Sequence, residues 1–165
     1  MATAPISLKG RALRYLAGRE HSRAELLRKL APHEEEPGHM ERVLDELQAK
    51  GFISEERVLA SVLNRRSASL GGARLRQELQ AKGLDAQLVR DAVAQLKDTE
   101  LARAQEVWRK RFGSAGAGEG APTDTKQWAR QVRFLMARGF AAEVVRRVVP
   151  PAPPAPRGVK SPAST

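Results

Sequence analysis

Three times along the chain an amphipathic helix ends in the same short pattern: a small residue, a cation, a glycine and a bulky apolar residue. The copies are Ala49-Lys50-Gly51-Phe52, Ala81-Lys82-Gly83-Leu84 and Ala137-Arg138-Gly139-Phe140. Glycine takes the left-handed conformation that stops a helix, and the cation suits the negative end of the helix dipole. The apolar residue then folds back onto the last turn. Three copies within 165 residues imply a chain assembled from similar small helical units.

Hydrophobic spacing and capping residues fill in those units. Residues 1–7 form a flexible lead-in. The first three-helix repeat spans residues 8–53. Ser7 caps its first helix, which carries Leu8, Ala12, Leu13 and Leu16 on one face. Ser22-Arg23-Ala24-Glu25 is a capping box that opens the second helix, with Leu26, Leu27 and Leu30 inward. Pro37 fits the first turn of the third helix, whose stripe is Met40, Val43, Leu44 and Leu47. The second repeat, residues 54–97, starts at Ser54, passes the loop Ser69-Leu70-Gly71-Gly72 and restarts its last helix at Asp85. The third, residues 98–149, is interrupted by a soft Gly/Ala/Ser loop over 113–123, after which Asp124 caps a helix. Residues 150–165 form a Pro-rich, basic tail that is expected to be disordered. The expected fold class is all-α: an elongated array of three tandem three-helix repeats.

Little in the chain suggests chemistry. It has no Walker loop, no cysteine and no evident nucleophile–base pair, so no catalytic residue and no cofactor are expected. His21, His33 and His39 lie near Glu34, Glu35 and Glu36, but solvated loop residues are the favoured reading over a metal site. The segment Met1–Lys9 lacks the apolar stretch of a signal peptide, and no apolar run approaches membrane-helix length. The expectation is a soluble, cytoplasmic monomer with no membrane contact.

The charge is more telling. The net charge of +10 is uneven: +5 over residues 1–33, −5 over 34–60 and +10 over 61–165. Basic clusters occur at Arg19 and Arg23, at Arg65, Arg66, Arg74 and Arg76, at Arg109, Lys110 and Arg111, and at Lys126, Arg130 and Arg133. Lys82 and Arg138 of the repeated pattern add to them. Arginine contacts phosphate and carboxylate equally well, so these residues suit DNA or an acidic protein surface. The four arginines around Ser69–Gly72 are expected to flank an exposed loop. Trp108 and Trp128 could stack on bases, but their spacing among leucines and valines favours core packing.

Three segments make the chain similar to the RecX family, bacterial regulators of the RecA recombinase. They are Arg19-Glu20-His21-Ser22-Arg23-Ala24-Glu25-Leu26, the run from Gly72 to Gly83 (GARLRQELQAKG), and Arg133-Phe134-Leu135-Met136-Ala137-Arg138-Gly139-Phe140. The resemblance covers residues 8–149. It departs from the family in a longer loop at 114–121 and in Leu70, where an aromatic is common. The resemblance implies a curved helical array that binds along the groove of the RecA filament on single-stranded DNA. It also implies that such a protein suppresses ATPase, strand exchange and coprotease activities. Single-stranded DNA would be met directly or through the filament, and the fourteen cations named above become the candidate contacts. The alternative is a basic helical protein that competes for single-stranded or duplex DNA without touching the recombinase.

Overall fold

The computed structural model describes residues 5–113, 120–152 and 154. The expected flexible lead-in, soft loop and Pro-rich tail fall mostly on residues 1–4, 114–119, 153 and 155–165, which lie outside the described residues. Among the described residues there are nine α-helices and no strand. They are α1 (Leu8–Gly18), α2 (Arg23–Leu30), α3 (His39–Ala49), α4 (Glu55–Arg66), α5 (Gly72–Ala81), α6 (Ala86–Gln95), α7 (Glu100–Phe112), α8 (Thr125–Ala137) and α9 (Ala142–Val148). The chain is all-α, built of tandem three-helix repeats. Its contacts divide it into two compact units, Met1–Ala68 with Gly72–Lys97, and Ser69–Gly71 with Asp98–Thr165.

The helix starts follow from side chains that satisfy free amides. Ser7 accepts from the Gly10 amide, Ser54 from Arg57, Asp124 from Gln127, and Asp85 from both Gln87 and Leu88. Ser22 and Glu25 form the full capping box at α2. One start differs from expectation. Pro37 precedes the third helix instead of sitting in its first turn. Gly38, at φ +79°, is the N-cap, and the Glu34 carboxylate accepts from the Met40 amide at 3.1 Å. A glycine in the left-handed region turns the chain sharply there, so Glu34 does what an N-cap side chain would otherwise do.

The helix ends use the repeated glycines: Gly51, Gly83 and Gly139 have φ of +77°, +72° and +84°. At the first and third, two backbone bonds close the turn. Phe52 N–H donates to Leu47 O and Gly51 N–H to Gln48 O, while Phe140 N–H donates to Leu135 O and Gly139 N–H to Met136 O. The apolar residues that follow do not share one fate. Leu84 and Phe140 are buried, but Phe52 is 47% exposed and Ile53 takes the core position instead. The expectation that each folds back into the core is therefore corrected at Phe52.

In the first unit, α1, α2 and α3 pack on one another around fully buried Leu26, Leu30, Leu44 and Leu47. Leu75 and Leu79 of α5, against α4 and α6, bury themselves with Val58 and Val89. In the second unit, α7, α8 and α9 enclose Ala104, Leu135, Phe140 and Val145, with Trp108 and Trp128 packed against this core. Trp108 donates its indole N–H to Gln131 Oε1 at 2.9 Å, and the fully buried Gln131 donates on to Gly120 O at 3.0 Å. Both tryptophans thus pack as the spacing indicates.

The loop ahead of α5 corrects the sequence expectation of exposure: Leu70 and Gly71 are buried. Within the second unit, Ser69–Gly71 lies against the turn between α8 and α9. Gly71 N–H donates to Arg138 O at 2.8 Å, and a Cβ on Gly71 would stand 2.3 Å from backbone atoms of Gly139 and Phe140. No side chain fits there, and the obstacle is backbone, which cannot move aside. Gly71→Ala is expected to lower the stability of the second unit by about 2–3 kcal/mol in denaturant unfolding. Gly18→Ala, at the end of α1 with nothing within 4 Å of a new Cβ, should be neutral or stabilise by about 0.5–1 kcal/mol. Equal effects of the two substitutions would refute the close approach.

Candidate interaction surface

The cations that the sequence nominates sort into two kinds once their partners are seen. Some are tied into the fold. The best-built tie is in the first unit, where the start of α2 meets the end of α5. The Glu25 carboxylate accepts from Lys82 Nζ at 2.7 Å, from Arg19 Nη2 at 3.1 Å and from the Ser22 amide at 2.9 Å. Ser22 Oγ donates to Lys82 O at 2.5 Å. A Cβ on Gly83 would stand 2.8 Å from Ala24 Cβ, so glycine both ends α5 and admits α2 to this contact.

Burial alone would raise the Glu25 pKa. The bonds from Lys82, Ser22 and Arg19 outweigh it and hold the carboxyl at about 2. His21 is part of the same buried corner, only 4% exposed, and not the solvated residue the sequence suggested. Burial lowers its pKa, against the Arg19 carbonyl that faces Nδ1 at 3.1 Å and favours the charged form.

Other nominated cations are similarly occupied. Arg23 pairs with Asp45 at 2.7 Å and Arg66 binds Glu78 through two nitrogens. Arg109 and Lys110 share Glu106 on their own helix. Arg138 lies over the Phe134 ring, 4.7 Å from its centroid, and donates to Ser69 O at 3.3 Å. Sequence reasoning missed Arg103, which is half-buried and donates to Leu70 O at 2.5 Å, helping to seat the same loop. Burial lowers its pKa, opposed by Glu100.

The remaining nominees face solvent. Arg65 bonds only to Ser61 O of its own helix, Arg74 only to Gln77, and Arg76 has no partner among the described residues. All three are exposed, at the end of α4 and along α5. Arg111 rests over the Phe112 ring at 5.3 Å. On α8, Lys126, Arg130 and Arg133 are exposed and share one face by helical spacing, opposite Gln131 and Leu135.

One further feature was not legible in the sequence. Phe52 lines a hollow of about 430 Å³ with Leu13, Leu16, Ala17, Glu20, Gly51 and Arg57. Arg57 holds it in shape, binding Glu20 at 2.9 Å and the carbonyls of Gly51 and Phe52. Among the described residues no group of three or more His, Cys, Asp or Glu side chains is arranged to hold a metal ion. No helix among them is long and apolar enough to cross a membrane.

Residues 98–149 match the model of the third three-helix domain of RecX, and residues 9–47 match that of the first. Regulatory protein RecX of Leptothrix cholodnii is 57% identical over 144 residues, covering 87% of this chain and 88% of that protein. Regulatory protein RecX of Ralstonia nicotianae is 47% identical over 145 residues, covering 88% of this chain and 87% of that protein. A crystal structure of a regulatory protein RecX superposes with a TM-score of 0.70 at 20% identity, over 86% of this chain and 70% of that one, which establishes the shared fold.

The Glu25 tie makes a testable statement about stability. Because the folded pKa lies below the ordinary 4.5, its contribution is fully present above about pH 4.5 and drains away as pH falls towards 2. Glu25→Gln is expected to destabilise by about 2–3 kcal/mol at pH 7, read as a lower urea midpoint at unchanged slope. The difference between wild type and variant should vanish near pH 2. A pH-independent difference would show that the charge is not what stabilises the contact.

Proposed function

Because the chain belongs to the RecX family, we propose that it regulates the RecA recombinase, binding the RecA filament on single-stranded DNA and suppressing its ATPase, strand-exchange and coprotease activities. It would thereby modulate DNA repair, homologous recombination and the SOS response. The observation that carries this is the match to regulatory RecX proteins at 47–57% identity over almost nine-tenths of the chain. The physical character of the chain supports it. A chain of similar three-helix repeats can meet a regular polymer through more than one of its repeats. The protein works by occupying a surface, with no chemistry of its own. Its contacts are assigned to exposed cations without carboxylate partners, foremost Arg65, Arg74 and Arg76. Cations already held by Glu25, Asp45 or Glu78 have less to offer, since freeing them breaks an existing bond.

Titration of single-stranded-DNA-dependent ATP hydrolysis by RecA at fixed salt tests the proposal. Inhibition is expected well below one molecule per recombinase. Inhibition only once the DNA is coated would mean competition for DNA instead. Replacing Arg65, Arg74 and Arg76 together with alanine should raise the concentration for half-inhibition by about tenfold or more, equivalent to about 1.4 kcal/mol. Helicity by circular dichroism should not change. Undiminished inhibition by this variant would move the contact surface elsewhere.

A further inference from the structure

The first repeat separates its charges by helix. Residues 8–30, which form α1 and α2, carry seven cations and two carboxylates; residues 31–50, leading into α3, carry two cations and six carboxylates. Ion pairs consume part of the basic side. Lys9 binds Glu46, Arg19 binds Glu25 and Arg23 binds Asp45. Arg11, Arg14, Arg28 and Lys29 are left with no carboxylate partner among the described residues. Three of these, Arg11, Arg14 and Lys29, converge. Arg11, Arg14 and Tyr15 stand at helical spacings of three and four on one face of α1, and α1 packs on α2. Lys29 of α2 reaches back to place Nζ 4.7 Å from the centre of the Tyr15 ring. Arg11, Arg14 and Tyr15 line a hollow of about 320 Å³. None of the three cations belongs to the set that the sequence nominated.

We propose that this α1–α2 face is a direct binding site for the sugar–phosphate backbone of a single-stranded nucleic acid. The phosphates would be held by Arg11, Arg14 and Lys29, with a sugar or base edge entering the hollow. The chemistry favours a polyphosphate over an acidic protein segment. Protein interfaces centre on an apolar or aromatic anchor. Here the one aromatic, Tyr15, is already engaged, by Lys29 and by His21 at 5.8 Å between ring centres. Tyr15 is therefore a platform that steadies the Lys29 ammonium by cation–π attraction, not a free stacking surface. What remains exposed is cationic, and a strand of phosphates meets several cations at once. The inference rests on the filament reading only in taking a single strand as the nucleic acid on offer.

The test uses the full chain without any recombinase, so it succeeds or fails independently of the filament reading. A fluorescently labelled oligothymidylate is titrated and its anisotropy followed at several salt concentrations. Wild type should bind, with affinity falling steeply as salt rises. Replacing Arg11, Arg14 and Lys29 together with glutamine should weaken binding at least about tenfold. Three phosphate contacts at about 0.7 each should also flatten the log–log salt dependence by about 2. Arg14→Glu alone, on an exposed helix position, should weaken binding several-fold while thermal unfolding stays unchanged, which separates lost binding from lost folding. Unaltered affinity and salt slope in both variants would overturn the proposal, as would a wild type that fails to bind the oligonucleotide at low salt. Normal binding of the strand by these variants would mean that the face meets protein instead.

Discussion

The first unit depends on one buried carboxylate. Glu25 caps its own helix, and without partners its charge would cost several kcal/mol to bury. Its partners come from Arg19, six residues earlier, and from Lys82, in the next repeat. The Glu25 charge can stay buried only where the start of α2 and the end of α5 are correctly joined. The join in turn requires that α5 stop at Gly83, because the left-handed glycine lets the Lys82 carbonyl reach Ser22 and leaves no Cβ against Ala24. One cap, one ion pair and one glycine thus hold each other in place, and changing any of them disturbs the other two.

A similar economy recurs in the second unit, around a different glycine. Gly71 is needed because its Cα passes against the peptide between Gly139 and Phe140. Around it, Arg138 accepts from the Gly71 amide through its carbonyl and reaches Ser69 O with its side chain, while Arg103 bonds Leu70 O. The same short pattern that ends a helix is used for three ends: a junction at Lys82-Gly83, a seat for a loop at Arg138-Gly139, and at Lys50-Gly51 a turn that leaves Phe52 on the surface.

This reuse changes how the cations are to be understood. Counting arginines and lysines along the chain makes all fourteen nominees look alike. In the fold, Arg19, Arg23, Arg66 and Lys82 are bound to carboxylates, and Arg138 to a carbonyl and a ring. Arg65, Arg74, Arg76, Lys126 and Arg133 reach solvent without a carboxylate. A cation already in an ion pair must break it to bind a new partner, so the unpaired ones are the effective part of the charge. Another unpaired group, at Arg11, Arg14 and Lys29, draws on two helices whose sequences show no dense basic run.

The sequence by itself determined the helices, most of their caps, the glycines that end them and the family. These are local properties, set by side chains within four residues of the amides and carbonyls they satisfy and by spacings along one face. It also placed the leucine and valine core and the two tryptophans correctly, since burial follows the helical period. Only the tertiary structure decided that His21 and the loop at Leu70-Gly71 are buried, that Phe52 is not, and which cations are free. Each of those outcomes depends on a partner many residues away, such as Lys82 for Glu25 or Gly139 for Gly71, and no periodicity along the chain records which distant group will arrive.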